Sequence, residues 1–124
     1  MSIKLLSERE FEDKDYYLNR FLKNLEMIEV VLSDIKRTIW KNQADFYTLF
    51  LFLDGNQERF DSHDRLTELS NQLERFSQSI LKALAKPNEK DDIFIQYHNA
   101  ASYETTAKEK RVRRLMILKD YLLK

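Results

Sequence analysis

Gly55 and Pro87 are the only glycine and the only proline in 124 residues. A sheet protein reverses its chain every few residues and draws on glycine and proline to do so. A chain this poor in both is built from long helices. Its length suits one domain, spanning 1–124, with enough chain to bury a core without disulfide or metal support. Charged residues make up 34% of it, so the outward faces of those helices are heavily charged. There is no cysteine, which removes thiol chemistry and fits a reducing compartment. No apolar run precedes the first charges as in a secretory leader. The densest apolar run, FYTLFLFL, is well short of the roughly 20 residues that cross a bilayer. The expectation is a cytoplasmic protein with no membrane contact.

The apolar spacing divides the chain into about five helices. SERE at Ser7 is a capping box, in which the serine hydroxyl and the glutamate satisfy each other's backbone N–H groups. Leu18, Phe21, Leu25, Ile28, Leu32, Ile35 and Ile39 then recur at steps of three and four, predicting one long helix with an apolar stripe. The spacing would suit a coiled-coil seam, but Phe11, Leu22 and Val31 widen the stripe, which favours packing inside a bundle over a two-helix zipper. Trp40 at its end reads as a packing anchor. ADFYTLFLFL is apolar nearly all round and predicts a buried second helix, closed by Gly55 in the left-handed conformation. NQERFDSHD reads as a connector, with Asp61 or Ser62 capping a third helix that carries Leu66, Leu69, Leu73, Phe76, Ile80 and Leu84 and stops before Pro87. A short fourth helix follows over about 91–101, with Ile93, Phe94, Tyr97 and Ala101 inward. A second capping box, TAKE at Thr106, opens the last helix.

That last segment raises the question of function. Tyr103 to Lys124 carries seven Lys or Arg against three Asp or Glu in a chain that is formally neutral. At about 100° per residue, Val112, Leu115, Met116, Leu122 and Leu123 fall on one side and Lys110, Arg111, Arg113, Arg114 and Lys124 on the other. The cations read first as a wet face. With Tyr121 they form the candidate contact surface for a partner or for nucleic acid. Ile117 and Tyr121 interrupt this basic side, which marks either a partner contact or a helix covered on more than one side. The two histidines, His63 and His98, lie on different predicted elements and do not make up a metal-ligand set. Arg59 and His63 stand too close, and in a connector, to form the Arg–His pair of helical RNA-cleaving domains. No nucleophile–base set or glycine-rich phosphate loop is present. No catalytic, cofactor-binding or metal-binding residue is assigned, and no small-molecule ligand.

Three segments together carry a family resemblance: ADFYTLFLFL after a long amphipathic helix, the tyrosine-bearing IFIQYHNAASYE, and TTAKEKRVRRLMIL, of the form T-x5-R-x2-R-x3-L from Thr105. The chain resembles the helical C-terminal half of a prokaryotic family whose N-terminal half is a ParB/sulfiredoxin-like nucleotidase domain, a family that includes the GmrS part of GmrSD-type restriction systems. In that likeness Asp45 to Leu53 match the family's buried helix, and Thr105, Arg111 and Arg114 match its terminal Thr and Arg positions. The nucleotide-hydrolysing residues of the family belong to the N-terminal half, around an Asp-Gly-Gln-Gln-Arg type of motif. LDGNQERF follows the buried helix here and echoes that motif only by chance. The resemblance therefore implies a non-enzymatic module of a restriction or phage-defence protein, packing on a partner domain or subunit and touching DNA weakly through its basic last helix. The alternative is a small stand-alone structural or regulatory protein acting by self-association or protein contact, without nucleic acid.

Overall fold

The computed structural model describes residues 8–33, 39–86, 92–102 and 108–123, and the side chains within them except those of 8–12, 101 and 102. Among the described residues the protein is an all-α bundle. Helix α1 spans Glu8–Leu32, α2 Gln43–Asp54, α3 His63–Leu84, α4 Ile93–Ser102 and α5 Lys108–Leu122. Single 3-10 turns at Ile39–Lys41 and Gln57–Phe60 flank α2. The described residues include no strand and no helix long and apolar enough to cross a membrane. The main packing runs as a closed ring, α1 on α2, α2 on α5, α5 on α4, α4 on α3 and α3 back on α1.

Phe76 of α3 sits at the hub of that ring. Trp40 stacks on it at 5.8 Å, and Tyr97, Tyr121 and Phe94 meet it edge-on at 4.9, 5.1 and 5.6 Å. Edge-to-face rings align positive edges with negative faces, so this cluster gains more than its area alone. Trp40 anchors its turn by donating its indole N–H to the Leu73 carbonyl at 3.1 Å. Leu49, Leu53, Leu69, Leu73 and Leu118 close the core around these rings. The Ser62 hydroxyl accepts the Arg65 N–H at 3.2 Å and caps α3, which leaves His63 exposed in the first turn.

Five expectations are corrected. The first helix ends at Leu32 and does not reach Ile39; 34–38 and the cap residues Ser7 and Thr106 lie outside the described residues. Its buried face is only partly the expected one: Ile28 and Val31 are buried and Leu32 packs against the core, but Asn24 and Met27 join them in place of Leu18, Phe21 and Leu25. Asn24 is drawn inward because its amide donates to Asp54 Oδ1 at 2.9 Å and its carbonyl accepts from Gln57 at 2.6 Å. Helix α2 is central but not enclosed all round, since Phe46 and Tyr47 are exposed and Phe50 lies at the rim against Phe21. Gly55 has φ −80° and ψ −7°, an ordinary right-handed conformation. The chain passes almost directly from α2 into the next 3-10 turn, so no left-handed residue is needed. In α4, Ile93 is exposed, while Tyr97 and Ala100 turn inward.

Candidate functional site

The buried side of α5 consists of Arg114, Ile117, Leu118 and Leu122, with Tyr121 half-buried among them. These positions follow the spacing of one helical face, with an arginine at its head. Arg114 is only 1% exposed. Its Nε donates to Thr48 Oγ1 at 3.1 Å and its Nη1 to the Ala100 carbonyl at 2.7 Å, tying α5 to α2 and α4. The Thr48 hydroxyl donates to the Ala44 carbonyl at 2.9 Å, which leaves its oxygen free to accept.

Asp45 completes this polar core. Its Oδ1 accepts the Tyr97 hydroxyl at 2.8 Å, and its Oδ2 the Asn42 amide at 3.2 Å. Burial pushes the Asp45 carboxyl above the usual carboxylate range, against the opposing pull of those two hydrogen bonds and the Arg114 charge. Burial and the neighbouring carboxylate push the Tyr97 phenol well above its usual value. Asp45, Tyr97 and Arg114 line one wall of a groove of about 820 Å³ between the start of α2, the end of α3, and α4 and α5. His98 and Arg111 stand half-buried at its edge. Among the described residues no buried side-chain nitrogen or oxygen lacks a hydrogen-bond partner. The polar atoms of Asp45, Tyr97 and Arg114 are therefore engaged within the protein even where these side chains line the groove, and their chemistry is that of a satisfied polar core. No group of three metal-ligating side chains occurs among the described residues.

The predicted contact surface on α5 does not hold together. Arg114 was expected on the wet side and is enclosed, because Thr48 and Ala100 supply acceptors at the core. Tyr121 packs its ring on Phe76 and on Phe94, the latter at 5.9 Å, and belongs to the aromatic cluster. Arg111 lines the groove and Lys110 is half-buried. Arg113 is exposed and donates to Gln96 of α4. Lys124 lies outside the described residues. Of the expected apolar side, Leu122 is buried and Leu115 and Leu123 pack against the core, whereas Val112 and Met116 are exposed and Ile117, from the expected basic side, is buried.

Among the described residues an exposed apolar row lies on α1. Leu18, Phe21, Leu22 and Leu25 are 55%, 47%, 47% and 36% exposed, and they share one face at helical spacing. Phe50 of α2 stands beside them with its ring 5.2 Å from Phe21, and the exposed Phe46 precedes it by one turn on α2. Below them a polar clasp fixes α1 on α2: Arg20 Nε donates to Asp54 Oδ1 at 2.7 Å, and a second Arg20 nitrogen donates to the Asp54 carbonyl. Burial raises the Asp54 carboxyl, but the Asn24 amide and the Arg20 guanidinium outweigh it and hold the group below its usual range. All four exposed side chains, Leu18, Phe21, Leu22 and Leu25, are ones the sequence pattern sends to the core. The stripe is real, but its first part faces outward while Ile28 and Leu32 meet the core. The signal that could have shown this is Asn24 within reach of Arg20, a polar pair suited to a partner on the adjacent face.

No protein-family model, curated protein or solved structure matches the chain.

Proposed function

We propose that this chain is a non-enzymatic helical docking module, which holds a protein surface against the outer face of α1 and the adjoining edge of α2. The observation that carries the reading is the row Leu18, Phe21, Leu22 and Leu25, extended by Phe46 and Phe50. Monomeric proteins rarely leave apolar side chains contiguous over more than a few hundred Å², because covering such a patch removes unfavourable contact with water. The setting implied by the family likeness, a restriction or phage-defence assembly, supplies a partner domain or subunit for that face. Docking by α1 has more support than contact by the basic end of α5, since Arg114 and Tyr121 are taken up by the core.

The test is a photo-crosslinking residue placed at Leu22 in the producing cell, with the same residue at Glu74, exposed on α3, as control. The reading expects one defined protein adduct from position 22 and none from position 74. No adduct at 22, or the same adducts from both positions, rejects it.

A further inference from the structure

We propose that the outer face of α1 is a two-fold homodimer seam, on which α1 of a second copy lies antiparallel. This rests on the docking reading and names its partner. Along the face the residues run Lys14, Leu18, Phe21, Leu22, Leu25, Glu29, all of them exposed. They occupy a stripe about 100° wide on a 3.6-residue helix. The row is symmetric about the point between Phe21 and Leu22. An antiparallel second copy centred there sets Phe21 on the partner's Leu22 and Leu18 on the partner's Leu25. It also sets Lys14 on the partner's Glu29, and the symmetry makes every pairing twice. This self-complementarity is what an isologous interface requires. A parallel arrangement would instead set lysine on lysine and glutamate on glutamate at the two ends, about 22 Å apart. An unrelated partner would not call for a charge at each end, opposite in sign and equidistant from the centre.

A second observation points the same way. Every side chain from Asp13 to Asn19 is exposed, so among the described residues no core lies beneath this part of α1. An unsupported helical stretch of that length is marginal in water. In the antiparallel pair it lies over the second half of the partner's α1, where the partner's Leu25 meets it. Phe46 and Phe50 of each copy then widen the apolar contact along its side.

Sedimentation equilibrium of the whole chain tests the proposal. Wild type is expected to approach twice the 15.0 kDa chain mass as concentration rises. Lys14→Glu and Glu29→Lys, each folded by circular dichroism, are each expected to weaken self-association roughly tenfold, because two attractive end contacts become repulsive. Mixed in equal amounts, these two variants are expected to form a heterodimer with wild-type affinity, since each glutamate then faces a lysine. The double variant Lys14→Glu/Glu29→Lys is expected to regain the homodimer. A wild-type chain that stays monomeric at several hundred micromolar overturns the proposal, as does a dimer indifferent to both single changes. In either case the Leu22 crosslink separates the two readings: an adduct with a different protein leaves docking intact and removes only the second copy.

Discussion

Arg114 is one of the last helix's cations, yet it behaves as a core residue. Replacing it with alanine strands the Ala100 carbonyl, leaves Asp45 without its nearby positive charge and opens a cavity. The expected cost is about 3 kcal/mol or more, seen as a lower urea midpoint with an unchanged slope. Arg113→Ala, at an exposed site, should leave the midpoint close to wild type. The two carboxylates of the polar contacts titrate with opposite consequences. Asp45 binds its proton more tightly in the folded chain than in the unfolded one, so its contribution is full at low pH and fades as pH rises through its raised folded value. Asp54 is held below its unfolded value, so its contribution is present at neutral pH and is lost as pH falls below the ordinary carboxylate range. Asp45→Asn should flatten the loss of stability above about pH 4, and Asp54→Asn the loss below it, in urea midpoints measured across pH. None of this was legible locally. Arg114 looks like its neighbours Arg111 and Arg113 until Thr48, sixty-six positions away, supplies an acceptor. Ile117 and Tyr121 interrupting the basic side were the one visible sign.

At the scale of elements, the sequence pattern located the helices better than it oriented them. α3 carries its apolar residues on one face and ends within the span expected for it, because Ser62 and Pro87 are local signals. α1 and α5 are rotated from expectation, because polar residues on their buried faces, Asn24 and Arg114, are satisfied by distant partners. A count of apolar spacing cannot register such partners. α2 shows a smaller version of the same limit. Its composition promised full enclosure, but Leu49 faces the core while Phe50 faces the rim. Leu49→Asp is therefore expected to unfold the protein, and Phe50→Asp to lower its melting temperature by a smaller amount. Gly55 tests the turn after α2. With a right-handed φ, and only ordinary 3.7 and 3.8 Å contacts awaiting a Cβ, Gly55→Ala should stabilise by about 0.5 kcal/mol through the unfolded chain. A loss of stability on that change would restore the left-handed reading.

For the whole molecule, the class of fold followed from the near-absence of Gly and Pro and from the length of the apolar stripes. Both are global properties of a chain, and both favour helices that bury one face. The closed ring of five helices makes the core one unit, since Phe76 touches rings from the turn before α2, from α4 and from α5. Phe76→Ala should cost about 3–5 kcal/mol and shift a single cooperative melt rather than split it. What a sequence pattern does not separate is an apolar stripe that meets its own core from one that meets another molecule, because both obey the same spacing. On α1 the inner face is held by the Arg20, Asn24, Asp54 and Gln57 clasp, and the outer face keeps its leucines and Phe21 exposed. In the proposed homodimer this outer face is covered in solution by a second copy. Amide hydrogen exchange of the segment Asp13–Asn19, followed as total protein concentration is raised, measures that cover directly. Exchange is expected to slow as concentration rises and to return to the fast, dilute rate in Lys14→Glu. Fast exchange at every concentration, with the core amides fully protected, would contradict it.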